Sequence, residues 1–410
     1  MGGVVRRFTI SMGILGISLA AHAQSGLRDR DPDLEGTKKV LGELQQANIH
    51  SGAFYMLSRI RIADAGFSEN YYLPTGDVQG GINLRVEAPQ RLYFVPRRKT
   101  VFTFDLVPAY SFFRAGSRQG QFDYSARADA HFLFNHLYLD AYTLLSDQIR
   151  AQISDVNRLA TQRDEETGLG GEIKYSSRTS AIFSARYRET NFPNNRFQPG
   201  DVPVNQLDRV EKNGRIALHH KTFPLTSLFA AAEVSDYTFD RAFTKDSSRR
   251  YFGGGFIRSA GRTSLRAEAG RTVLSFDDPS QRDFTGLTGN VVLSRGTNRW
   301  NFTASGARDV GFSIYENNNY YISSLGRIVI DYAATRRLTL RGGTAVERDD
   351  YDVPVGGVLR EDTLTFTSAG FLYAFRKLQT GVDAGWYTRD SNVLPEDSGI
   401  RWVLHLSFTP

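Results

Sequence analysis

Two neighbouring runs, Asn319 to Tyr332 and Arg337 to Tyr351, carry the pattern that recurs along most of the chain. In the second, Leu338, Leu340, Gly342, Thr344 and Val346 alternate with Arg337, Thr339, Arg341, Gly343, Ala345 and Glu347. Successive side chains of a strand point to opposite faces, so this alternation predicts a strand with one apolar and one wet surface. The first run sets Tyr320, Ile322, Ile328, Ile330 and Tyr332 against Ser323, Arg327 and Asp331. Joined by Ala333-Ala334-Thr335-Arg336, the two runs predict an antiparallel hairpin.

Eighteen segments of this kind are predicted: 54–66, 79–95, 100–113, 121–134, 136–149, 165–176, 180–192, 208–221, 226–239, 249–259, 263–276, 284–294, 299–310, 319–332, 337–351, 360–375, 378–389 and 398–409. Connectors after odd-numbered segments are long, with 150–164 and 193–207 the longest, whereas those after even-numbered segments, such as Arg295-Gly296-Thr297-Asn298 and Arg376-Lys377, hold four residues or fewer. Long outer loops alternating with short periplasmic turns define a transmembrane antiparallel outer-membrane β-barrel with both ends in the periplasm. Sixteen strands stays open as an alternative count. In 360–375, Leu364 and Phe366 fall on one parity and Phe371, Tyr373 and Phe375 on the other, which predicts a bulge near Gly370. The last segment has Ile400, Trp402, Leu404, Leu406 and Phe408 on one face and Arg401, Val403, His405 and Ser407 on the other. That pattern resembles the C-terminal signal read by the barrel-insertion machinery, except that Thr409-Pro410 follow the final aromatic.

Outside the barrel (residues 53–410), the N-terminus divides in two. Arg6-Arg7, an apolar stretch from Phe8 to Ala21 and Ala21-His22-Ala23 predict a signal peptide over 1–23. Residues 24–52 are expected to be a periplasmic segment with a short amphipathic helix, since Val40, Leu41, Leu44 and Ala47 recur at helical spacing. Removing the two arginines of the leader from 50 basic residues leaves 48 against 44 acidic ones, or +4, with the signs interspersed. A balance so even gives no basic stripe for nucleic acid. The absence of cysteine excludes a lipid-anchored lipoprotein and a disulfide-stapled scaffold. No apolar run after the leader approaches the roughly 20 residues of a membrane helix. The 28 Phe, 19 Tyr and 38 Gly suit strands that face lipid on one side.

Little in the sequence suggests an enzyme, a cofactor or a metal. His219-His220 is the one histidine cluster, and adjacent strand residues point to opposite faces, so the pair shares no ligand. Acidic pairs such as Asp349-Asp350 read as solvated rim. What remains is a polar lumen of mixed charge, with Arg327, Arg341, Asp383, Arg401 and His405 as candidate pore-lining residues. The outer loops offer Tyr71, Tyr72, Tyr315, Tyr320 and Tyr321 as candidate glycan contacts, because flat rings stack on sugar faces. An interfacial aromatic girdle is the competing role for each of them.

At the first hairpin, Gly326, Asp331-Tyr332, Thr335 and Leu338-Thr339-Leu340-Arg341-Gly342-Gly343 resemble the strand-turn-strand pattern of a β-barrel porin family of outer-membrane proteins associated with exopolysaccharide export. The resemblance implies a barrel of about eighteen strands that exports a secreted polysaccharide, in contact with outer-membrane lipid and lipopolysaccharide and alongside periplasmic polysaccharide-export proteins. A general or nutrient-uptake porin is the second reading, and a barrel enzyme a third.

Overall fold

Strands in lipid must satisfy every backbone N–H and C=O among themselves, so alternating segments of this kind are stable only as a closed ring. A computed structural model of the protein describes residues 36–68, 81–97, 99–114, 120–151, 159–193, 204–314, 319–354, 358–393 and 397–409. It opens with a helix, α1 (Gly36–Leu44). The strands that follow are β1 (Ile49–Ser51), β2 (Phe54–Ser58), β3 (Ile60–Ser68), β4 (Gly81–Glu87), β5 (Gln90–Arg97), β6 (Thr100–Arg114), β7 (Gln121–Leu133), β8 (Leu137–Ala151), β9 (Leu159–Lys174), β10 (Thr179–Asn191) and β11 (Arg209–Phe223). The second half adds β12 (Thr226–Phe239), β13 (Ser247–Ala260), β14 (Thr263–Phe276), β15 (Phe284–Gly296), β16 (Trp300–Phe312), β17 (Tyr320–Ala333), β18 (Leu338–Tyr351), β19 (Glu361–Phe375), β20 (Leu378–Ser391) and β21 (Asp397–Phe408). All belong to one antiparallel sheet, which closes where β21 pairs with β3, from Arg401 opposite Ser68 to Phe408 opposite Ile60.

The ring has eighteen staves, because β2 with β3 and β4 with β5 each form one. From β4 into β5 the register on β6 is continuous, with Glu87 opposite Ala109 and Gln90 opposite Leu106, and it slips only between Phe94 and Arg97. The break between them is Pro89, which has no N–H to give to the ladder. Its carbonyl still accepts from the Arg59 N–H at 3.0 Å, and the Ala88 N–H donates to the Pro108 carbonyl at 3.0 Å. β1 pairs with β2 just beyond the end of β21, which covers an edge that closure alone leaves open.

Side-chain exposure follows the alternation. Along β12, Phe229, Ala231, Glu233, Ser235, Tyr237 and Phe239 are buried inside, while Leu228, Val234 and Thr238 stand outside. On the outer surface Phe252 and Leu287 are each 71 % exposed, which is a lipid-facing belt and not a soluble surface. Leu404 is outward and His405 half-buried inward.

Two local expectations are corrected. No bulge occurs near Gly370: β19 pairs with β18 and β20 in unbroken register, and Leu364 and Phe366 simply point inward, where the Phe366 ring occupies the space a Cβ on Gly385 would need. Register does slip in β3, where the ladders to β4 and β21 both shift around Ala63. The segment expected at 165–176 begins at Leu159, because Gln162 and Asp164 line the lumen while Arg163 bonds Asp147 at 3.0 Å on the other face. A strand polar on both faces has no visible alternation. The predicted signal peptide lies outside the described residues.

Candidate pore

Each stave contributes every second residue to the inner wall, and arginines set against carboxylates recur among them. On β9, β10 and β11, Arg188 Nη2 lies 2.9 Å from Asp164 Oδ1, and Arg209 Nη2 is 2.7 Å from Glu211 Oε1. Arg186 stands between them, 3.8 Å from Glu166 and 3.4 Å from Glu211. Tyr142 on β8 donates its hydroxyl to Glu166 at 2.7 Å, and Thr190 donates to Asp164 at 2.9 Å. Further round, Arg215 bridges Glu233 at 3.1 Å and Glu268 at 2.8 Å, and Arg249 reaches Asp309 at 2.6 Å. Elsewhere on the ring Arg85 meets Asp123 at 2.5 Å and Glu87 at 2.7 Å, and Asp362 holds both Arg360 at 2.5 Å and Arg389 at 2.7 Å. Within these clusters the charges cancel locally, so this part of the wall is polar without a single-sign field.

The expected pore-lining residues occupy this surface. Arg341 pairs with Asp331 at 3.1 Å across β17 and β18. His405 Nε2 lies 2.8 Å from buried Asp383, and its Nδ1 is 3.0 Å from the Ala63 carbonyl at the register slip, so these two sit at the closing seam. Arg401 is half-buried on the same face of β21. Arg327 is half-buried and has no hydrogen-bond or ion-pair partner among the described residues.

The outer mouth differs from the expected rim of aromatic loops. The ladder between β15 and β16 ends at Gly289 opposite Arg308, and beyond that point the β16–β17 hairpin bends into the lumen. There the Phe312 ring packs edge-on to Tyr237 and Phe239, at 4.9 and 5.0 Å, and Tyr320 packs on Phe276 and Phe284, both at 5.9 Å. Phe192, Val204, Leu207, Leu274 and Ile314 complete an apolar cluster inside the barrel. Fully buried Lys245 donates its Nζ to the Ser313 carbonyl, and the Asn319 side-chain amide donates to the Thr244 carbonyl at 3.0 Å. Tyr320 and Tyr321 are therefore buried, not presented to an outside glycan: Tyr320 fills the cluster and Tyr321 packs against Tyr351 at 5.4 Å. Tyr71, Tyr72 and Tyr315 lie outside the described residues.

A repeated device shapes this mouth. The Asp246 carboxylate accepts the Phe239 N–H at 2.6 Å, Asp283 accepts that of Phe276 at 3.0 Å, and Asp208 accepts that of Phe192 at 2.7 Å. Burial pushes the carboxyls of Asp208 and Asp246 above the ordinary carboxylate value, against the opposing effect of those hydrogen bonds. For two of the three the signal was present in the sequence, since Phe239 and Asp246, and Phe276 and Asp283, are seven residues apart, whereas Phe192 and Asp208 are separated by sixteen.

At the other mouth α1 is docked inside. Val40 is buried among Tyr93, Val101, Leu133 and Tyr138 of the inner wall, with Leu44 beside them. Glu43 bonds Arg91 at 3.1 Å and accepts from the Tyr93 hydroxyl at 3.4 Å. The helix thus narrows the short-turn end, which in outer-membrane barrels is the periplasmic one.

A closed ring of eighteen antiparallel staves with a lipid-facing belt and a charged lumen is an outer-membrane porin. Residues 145–403 match the family described as Putative beta-barrel porin 2, and the chain belongs to that family. No curated protein matches it in sequence. Among solved structures it is similar to Pseudomonas aeruginosa OpdK with vanillate, at TM-score 0.53 and 10 % identity over 87 % of this chain and 99 % of that one. It is also similar to a BenF-like porin from Pseudomonas fluorescens, at TM-score 0.50 and 11 % identity over 87 % and 99 %. Acinetobacter baumannii OccAB4 gives TM-score 0.50 and 10 % identity over 88 % and 99 %. What is shared at such identity is the fold.

Proposed function

We propose that this porin is the outer-membrane conduit of a secreted polysaccharide and passes it outward, working with periplasmic export proteins. The observation that carries the reading is the locally neutralised inner wall: Arg186, Arg188, Arg209, Arg215 and Arg249 each lie against a carboxylate. A sugar polymer needs many weak hydrogen-bonding partners and no strong attraction to any one site, since binding must be loose enough for the chain to leave. The hairpin at the outer mouth and α1 at the inner one serve as gates that open around the chain. Arg327, Arg341 and Arg401 are wall contacts, and the barrel is a channel, not an enzyme.

A second reading, uptake of a small solute, draws on the narrowing of both mouths, which suits a small molecule better than a polymer. The two separate in planar bilayers holding the purified full-length barrel. Export predicts that neutral glycans interrupt the ion current for times that lengthen with chain length. Current block by a small aromatic carboxylate and none by glycans of any length overturns the export reading.

A further inference from the structure

On the outer flank of β13 to β16 the lipid-facing surface breaks its own rule. Arg250, Arg271 and Arg308 all point outward and are exposed. Across the strands, Arg271 stands opposite Phe252 on one side and Leu287 on the other, the two most exposed large apolar side chains among the described residues. Arg250 lies one pair higher, opposite Val273, and Arg308 one pair lower, opposite Gly289. Among the described residues Arg250 and Arg271 have no hydrogen-bond or ion-pair partner, and Arg308 has only the Ser324 hydroxyl, at 3.3 Å. The nearby outward carboxylate, Asp236, faces Lys212, and Arg348 is already held by Asp350 and Glu361 at 2.9 Å each.

Below these cations the belt has a groove of about 520 Å³, floored by Gly254, Ala267, Ala269, Gly289 and Gly306 and walled by Phe256, Leu287 and Val291. It lies just below the point where β16 parts from β15, with Arg308 at that fork. The flank therefore offers an apolar trough with three unneutralised guanidinium groups at its outer end. A guanidinium facing lipid is costly unless an anion meets it, and planar forks of N–H donors match phosphate oxygens in pairs.

We infer that this flank binds a phosphorylated acyl-glycolipid of the outer leaflet, with Arg271 and Arg308 as the phosphate ligands, Arg250 adding charge above them, and an acyl chain in the groove. Opposite charge and matching apolar shape choose this occupant over a second copy of the chain, whose identical flank would bring arginine against arginine.

Native mass spectrometry of the full-length barrel in detergent tests the site. The probes are bisphosphorylated lipid A, the same lipid after phosphatase treatment, and phosphatidylglycerol. The wild type should retain bisphosphorylated lipid A at least tenfold better than either other lipid, a comparison that involves no variant. Arg271→Gln with Arg308→Gln should abolish the preference, whereas Arg258→Gln, exposed at the opposite end of β13, should keep it. Gel migration before and after heating verifies that each variant is a folded barrel. Equal retention of the dephosphorylated lipid, equal retention of phosphatidylglycerol, or an unchanged preference in the folded double variant each overturns the proposal.

Discussion

Truncating Arg215 to alanine is the sharpest perturbation of the inner wall. Its guanidinium bridges Glu233 at 3.1 Å and Glu268 at 2.8 Å, and the three side chains are 7 %, 2 % and 2 % exposed. Removing it leaves two carboxylates facing each other with little water to share. Losing one partner of a buried pair costs about 3 to 5 kcal/mol, because the other charge stays behind uncompensated. The paired arrangement need not be worth that much against a neutral one, so Arg215→Ala combined with Glu233→Gln and Glu268→Gln should recover most of the loss. The assay is reversible urea unfolding of the barrel in lipid vesicles, followed by tryptophan fluorescence, with stability read from the midpoint and slope. A loss below about 1 kcal/mol for the single variant, the range of exposed pairs, would show that the wall is hydrated and that the pairing adds little. Failure of the triple variant to recover would place the loss in packing, for instance against the Tyr251 ring 5.8 Å away.

Three further outcomes follow from the same geometry. Leu404→Arg on the lipid side should cost about 2 to 4 kcal/mol near the midplane, whereas His405→Arg, next to Asp383, should cost far less; equal damage in the unfolding assay refutes the assigned faces. Lys245→Ala removes the donor that holds the Ser313 carbonyl, so single-channel conductance should rise and fluctuate, and an unchanged trace would show that the hairpin is no gate. Ser280→Cys, in the long connector after β14, should react with a membrane-impermeant thiol reagent on intact cells while Lys377→Cys, in the short turn after β19, does not; the reverse pattern inverts the topology.

Much of the fold was legible because closure imposes period two wherever one face meets lipid. Leu404 and His405 take the faces their parity assigns, and the long and short connectors alternate as expected. Legibility fails where that contrast fails. The outer half of β9 projects polar residues on both sides, so Gln162, Arg163 and Asp164 gave no alternation. Phe366 is apolar yet inward because Gly385, two residues along β20 from its cross-strand partner Tyr387, leaves room for its ring, and this false switch of parity suggested a bulge at Gly370. At the mouth, Phe239, Phe276 and Phe312 have the composition of a girdle but sit inside, a placement fixed by long-range contact with a bent hairpin. Only the seven-residue spacing from Phe239 to Asp246 and from Phe276 to Asp283 marked two of these ends as built alike. The spacing of Val40 and Leu44 indicated a helix, but an amphipathic face does not name the surface that covers it.

The export of a polymer is tested most directly by deleting the gene in the native bacterium and measuring polysaccharide separately on the surface and in the periplasm, with the intact gene restored as control. The account predicts that surface polymer disappears and periplasmic polymer accumulates, while growth on small nutrients is unchanged. Normal surface polymer together with lost uptake of one solute would contradict it.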